Sequence, residues 1–248
     1  EDGHIAHGDT LANPHFLNKS GQLEQFDVVL ANPPYSIKNW DREAFTNDAF
    51  GRNMWGVPPQ GRADYAFFQH IAASMKPDTG RSVTLFPHGV LFRQEERALR
   101  EELVKSGLLE CVLGLGPGLF YNSPMEAVVV VLRANRPEEQ RDQVLFINAV
   151  DLVARERAQS FLRPEHQQDI LAAYEGFTDV PGLAAVVDRE RIAANDYSLA
   201  IPLYVADDSR DSDSVSLEDA VTQWRGAADA ADASVTSLLT SLRGEDSK

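Results

Sequence analysis

One cysteine in 248 residues, Cys111, excludes an internal disulfide, its apolar neighbours in Leu108-Leu-Glu-Cys-Val-Leu113 point to a buried thiol, and nothing in the sequence suggests an oxidising compartment. No stretch approaches the roughly 18 to 20 uninterrupted apolar residues that cross a bilayer. The opening residues, Glu1-Asp-Gly-His-Ile-Ala-His7, carry neither a basic nor an apolar segment of signal-peptide type. These absences predict a cytoplasmic protein with no membrane partner. Positive charge is scarce as well: 23 Lys and Arg stand against 38 Asp and Glu, a net charge of −15. Phosphate contacts need clustered Lys and Arg, so the chain alone is excluded as a strong nucleic-acid binder, and a partner would have to supply positive surface. Also missing before Asp27 is a strand that runs into a glycine-rich turn at a helix N-terminus, the usual cradle of a nucleotide-like ligand. Gly114-Leu-Gly-Pro-Gly118 is glycine-rich, but Pro117 and the lack of a following helix make it a loop. His4, His7 and His15 have no well-placed further ligand, so no metal site is expected.

What is present is a series of β-branched and apolar runs at Asp27–Ala31, Ser82–Phe86, Leu109–Leu115, Ala127–Arg133 and Val144–Asn148, each the length of a strand and most apolar on both faces. Helical spacing fills Ala63–Met75 and Arg93–Ser106, the latter closed by Gly107. Strand, helix, strand, helix, strand predicts a doubly wound α/β sheet with parallel crossovers. The 116–126 connection is too short for a crossover helix, so Ala127–Arg133 is expected to run antiparallel to its predecessor. Beyond Asn148 the pattern predicts a helix over Pro164–Tyr174, a loop over Gly176–Gly182 and an extended piece over Tyr197–Val205. Residues 206–214 read as an acidic linker. Apolar residues then recur every three or four positions from Leu217 to Leu242, an amphipathic helix with Ser216 as N-cap.

The stretch Phe26-Asp-Val-Val-Leu-Ala-Asn-Pro-Pro-Tyr35 ends an apolar run in residues that no strand continues. Proline fixes its own φ and constrains the residue before it, so Asn32-Pro33-Pro34 forms a stiff turn with its acceptors aimed in set directions. An exocyclic amine on a base is a poor nucleophile, because its lone pair is delocalised into the ring. The Asn32 side-chain oxygen and the Pro33 carbonyl can accept its two N–H groups and favour a tetrahedral nitrogen whose lone pair faces an electrophile. Tyr35 can stack on the flat face of the base. The plainer alternative is a strand-ending turn or a proline-rich ligand, but the position at a strand's carboxyl end, where open α/β sheets place their ligands, favours a site.

Asn32-Pro33-Pro34-Tyr35 resembles the catalytic motif of amino-methyltransferases. Its surroundings are similar to the modification (M) subunit of type I restriction–modification systems, of the N6-adenine DNA methyltransferase family. The wider matches are Gly8-Asp9-Thr10-Leu11, Trp55-Gly-Val-Pro-Pro59, Ala63-Asp64-Tyr65-Ala66-Phe67, the run from Gly80 to Arg93, and Leu119-Phe-Tyr-Asn-Ser-Pro124. The resemblance implies a methyltransferase-like doubly wound sheet and transfer of a methyl group from S-adenosylmethionine to N6 of adenine in DNA, with the base turned out of the duplex. Under it, Asn32, Pro33, Pro34 and Tyr35 are the catalytic set, Asp9, Thr10 and Leu11 the cofactor contact, and Phe120 or Tyr121 a second ring against the base. Asp64 reads instead as a helix cap and Phe67 as core. Pro87-His88-Gly89 reads as a turn, and Arg93 and Arg97 as residues of a solvated helix face.

The family's glycine-rich cofactor loop is not in the sequence. The expectation is therefore a fragment or truncated product whose S-adenosylmethionine site is incomplete and which is inactive alone. Residues 1–150 would be a partial catalytic domain truncated on its N-terminal side, 151–205 its extension, and 215–248 an amphipathic helix that either meets another subunit or packs back on its own domain. DNA would be reached through the full complex, with the specificity and restriction subunits as partners, and a truncated sheet edge would favour self-association. RNA or protein-glutamine amino-methyl transfer, or a non-catalytic assembly module, are the alternatives the sequence leaves open.

Overall fold

The computed structural model describes residues 4–120, 125–156 and 159–205, together with Thr222, Trp224 and Arg225. The chain divides into two units, Glu1–Ala206 and Asp207–Lys248. In the second, the three described residues are helical, and the expected linker and the N-cap at Ser216 lie outside the described residues.

In the first unit a six-stranded mixed sheet carries the Asn32-Pro33-Pro34-Tyr35 turn at the end of its first strand. Its strands are β1 (Val28–Ala31), β2 (Arg81–Pro87), β3 (Leu109–Leu115), β4 (Ala127–Arg133), β5 (Gln143–Ala149) and β8 (Ala184–Asp188), in the spatial order β1-β2-β4-β3-β5-β8. β1 with β2 and β3 with β5 pair parallel; β4 is antiparallel to both β2 and β3, and β8 is antiparallel to β5. The antiparallel β4 agrees with its short connection, and four consecutive valines suit a strand buried on both faces. A small antiparallel pair, β6 (Ala154–Glu156) and β7 (Gln159–Phe161), stands apart.

Helices α2 (Asp64–Ala73), α3 (Arg97–Lys105) and α5 (Arg189–Ala194) pack on one face over Phe68, Phe86, Leu103, Val128, Phe146 and Ile192. On the other face, α4 (Pro164–Gly176) covers Cys111, Val131, Leu145 and Ile147, while Val83, Leu113 and Val129 stay half-buried. Burial pushes the Cys111 thiol far above its ordinary value, as expected of an inert core cysteine. A third, smaller cluster holds Leu11, Phe45, Ala63 and Ala66, with Phe45 from α1 (Arg42–Thr46). Gly107 takes a left-handed φ of 72° after α3, the cap its position predicted.

Four expectations need correction. The strand before Asn32 is not buried: β1 is an edge strand among the described residues, and Val28 and Leu30 are 62% and 75% exposed. The helix expected from Arg93 begins at Arg97, after a 3-10 turn over Gln94–Glu96, because the Arg93 side chain turns inward to a buried partner. Residues 184–188, for which the sequence pattern predicts no strand, form β8 and complete the sheet by pairing with β5. The 197–205 segment is not extended: Asp196 and Tyr197 have positive φ, and Ile201–Leu203 forms a 3-10 turn. No described helix is long and apolar enough to cross a membrane.

Candidate active site

β1 delivers its last residue, Ala31, directly into Asn32-Pro33-Pro34-Tyr35 at the carboxyl end of the strand. The turn does not continue as sheet: Ser36 takes a left-handed φ of 53°, and the chain then ties onto the start of α2. The Ser36 N–H donates to Oδ1 of Asp64 at 2.7 Å, and the Ala63 N–H donates to the Ile37 carbonyl at 3.0 Å. Within the turn, the Tyr35 hydroxyl donates to the Asn32 side-chain oxygen at 2.8 Å. The acceptor and the ring that chemistry would use are thus already coupled to one another. Burial, and then the Asp64 carboxylate, raise the Tyr35 hydroxyl above its ordinary value, so it stays a protonated donor.

Asn32, Pro33, Pro34 and Tyr35 form one wall of a pocket of about 540 Å³, and Phe120, Met125, Glu126 and Ala127 form the other. The structure therefore brings Phe120, from within the β3–β4 connection, to the turn; Tyr121 lies outside the described residues. Glu126 is the carboxylate of this lining, with Nε2 of His88 4.0 Å away.

The Gly8–Leu11 segment lies elsewhere. Asp9 is exposed, and its carboxylate accepts the N–H groups of Leu11 and Ala12 at 3.0 and 3.1 Å, capping its own turn. Thr10 lines a second cavity of about 180 Å³ with His70, whose half-buried imidazole is pushed down to about 4 by burial. The Leu11 side chain is in the core with Phe45.

Sequence reasoning missed two ion pairs that hold these segments. Arg52 is 2% exposed: its guanidinium binds Asp48 through Nε and Nη2 (3.0 and 2.6 Å) and donates to the carbonyls of Thr10 and Leu11 at 2.9 and 2.8 Å. Asp64 does not cap α2; its other oxygen accepts from Nη1 of Arg93 at 2.7 Å, so neither residue has the role its sequence position suggested. Arg97, by contrast, is half-exposed and pairs with Glu101 and Asp196. No group of three metal-ligating side chains occurs among the described residues.

A family profile described as N-6 DNA Methylase matches residues 1–213. The chain belongs to the N-6 DNA methylase family. It is 32% identical over 222 residues to the type I restriction enzyme MjaVIII methylase subunit of Methanocaldococcus jannaschii, a match covering 86% of this chain and 38% of that protein. The MpnII methylase subunit of Mycoplasma pneumoniae is 28% identical over 81% of the chain and 38% of its own length. Among solved structures, a type I restriction-modification methyltransferase subunit from Streptococcus thermophilus superimposes with a TM-score of 0.73 at 34% identity, over 80% of this chain and 41% of that one. The chain thus spans about two fifths of the length of these family members. Its mixed sheet flanked by helices is the methyltransferase fold that the sequence predicted.

Proposed function

We propose that this chain supplies the target-base half of the site of an S-adenosylmethionine-dependent N6-adenine DNA methyltransferase that works within a type I restriction–modification complex. The observation that carries the reading is the pocket in which Asn32, Pro33 and Tyr35 face Phe120. A flat base fits between two aromatic residues, and its amine would offer two N–H donors to the Asn32 side-chain oxygen and the Pro33 carbonyl. The Tyr35 hydroxyl now holds the Asn32 oxygen at 2.8 Å; an amide oxygen has a second lone pair, so the amine can be accepted beside the hydroxyl or in its place. With both protons held, the nitrogen lone pair is freed from the ring and fixed in direction, which is positioning rather than acid–base chemistry. Glu126 places a negative charge in a pocket where that nitrogen becomes positive.

For the methyl donor the fit is partial. Asp9 is exposed and can accept from an adenine amine once its turn contacts rearrange, but the sequence before Asp27 has no strand that runs into a glycine-rich turn for the donor's methionine and ribose ends. The bound donor would supply an electrophilic methyl group; the residues described here orient its acceptor. The net charge of −15 supports a division of labour in which DNA is gripped by a specificity subunit, with the restriction subunit joining the same assembly and residues 215–248 as a docking helix.

The test is an Asn32→Ala substitution at the gene's own locus, read by single-molecule sequencing of N6-methyladenine in host DNA. Loss of methylation at the recognised sites is expected. Tyr35→Phe should retain methylation and Tyr35→Ala should lose most of it, because the ring and not the hydroxyl stacks. Full methylation in the Asn32→Ala strain overturns the proposal.

A further inference from the structure

Asp64 is 1% exposed, yet it lies at the first turn of α2 without capping that helix. Both of its oxygens point away from the helix: one receives the Ser36 N–H, the residue that leaves the Asn-Pro-Pro-Tyr turn, and the other receives Nη1 of Arg93, each at 2.7 Å. A serine at φ 53° occupies a region that L side chains avoid, so something outside the turn must hold it there. Arg93 in turn is fixed from three sides. Arg100, itself buried, donates to the Arg93 carbonyl at 2.7 Å. Nη1 of Arg93 lies 3.5 Å from Glu96. Gly89 leaves the space its guanidinium occupies, since a Cβ at Gly89 would overlap Nε and Cζ.

Resting on the reading above, we infer that Asp64 is a positioning residue for the Asn-Pro-Pro-Tyr turn, locking Ser36 in its left-handed conformation and thereby aiming Asn32 and Tyr35, with Arg93 fixing Asp64 in turn. Two rigid pieces explain why such a brace is needed. The turn grows from an edge strand with a neighbour on one side among the described residues, so the sheet holds only its entry. Its exit is held by α2, through Asp64 and the Ala63 to Ile37 bond.

The experiment uses the methylase isolated from its own host through a tag on this chain, with the subunits that accompany it. Asp64→Ala should lower kcat about 100-fold, the scale of a misplacement near 1 Å, and leave KM for DNA within about threefold, since no substrate contact is removed. Adding Ser36→Gly should recover about tenfold of that loss, because glycine adopts φ near 50° without help. Asp64→Asn, which keeps the volume and an acceptor but weakens the hold of Arg93, should fall between; it serves if the alanine variant does not fold. An Asp64→Ala or Asp64→Asn kcat within threefold of wild type overturns the inference, as does a loss that Ser36→Gly leaves unmoved, which would mark Asp64 as a fold residue only. Asn32→Ala, run beside them, separates the two levels: retained activity there overturns the base-site reading itself.

Discussion

Arg52→Ala is the perturbation whose size the structure sets most directly. The guanidinium makes two hydrogen bonds to Asp48 and one each to the carbonyls of Thr10 and Leu11. Both side chains of the pair are 3% exposed. Removing the arginine leaves a buried carboxylate and two carbonyls without their donor. Breaking a buried pair from one side costs about 3–5 kcal/mol. Asp48 keeps the N–H groups of Phe50 and Arg52, which places the expected loss near the lower end, at about 3 kcal/mol. A pH signature follows. Burial alone would raise the Asp48 carboxyl, but Arg52 and the two backbone donors together hold it below its ordinary value. A depressed carboxyl contributes stability that is present above the unfolded value and lost as pH falls through the folded one. The gap between wild type and Arg52→Ala should therefore be full at pH 7 and narrow as pH falls below about 4. Urea unfolding of the whole chain measures the gap, and amide exchange over residues 8–13 reads the clamp locally. A loss under about 1 kcal/mol, or unchanged exchange in that segment, would refute the reasoning.

Glu96 gives a shift of opposite sign. Its fully buried carboxyl is pushed up to about 7 by burial, against the pull of Arg93, with Asp64, Arg100 and Arg62 also facing it. A raised carboxyl favours the fold below pH 4.5 and costs stability as pH rises through 7, so Glu96→Gln should match wild type at pH 4.5 and exceed it at pH 8 by up to about 3 kcal/mol in urea unfolding; a destabilised variant at pH 8 would sink this. Among the described residues β1 pairs on one side only, which predicts self-association that sedimentation should detect in the wild-type chain and find reduced in Val28→Lys/Leu30→Lys; an unchanged sedimentation profile would remove the edge as its cause.

Much of the sheet was legible because it depends on local composition. Leu109–Leu115 and Ala127–Arg133 form over the spans their β-branched runs predicted, and an eleven-residue connection was enough to reverse β4. β8 was less legible, since only two of its five residues, Val186 and Val187, are β-branched, and pairing with β5 completes the selection of that conformation. At the site, the stiffness of Asn32-Pro33-Pro34 follows from proline geometry alone, and the structure then adds Phe120 to the same pocket. What supports the site could not be read. Asp64 and Arg93 are 29 positions apart, and Arg52 reaches back 41 and 42 residues to the carbonyls it binds. Such pairs exist only after the chain has folded, and a charged residue in sequence gives no sign of whether it will face solvent or a buried partner.

The antiparallel strand in the middle of the sheet also imposes an order of assembly. β2 and β3 are each bonded to β4 and not to one another, so a nascent chain that ends before Ala127 cannot close its sheet and carries two open apolar edges. β3 and β4, joined through a short loop, can pair early as a local unit, and this unit must then dock β4 against β2, a long-range step. The loop that joins them carries Phe120 and Glu126. The second wall of the pocket is therefore brought to the first by the same pairing that joins β4 to β2, so a chain with a complete pocket already has these two halves of its sheet docked.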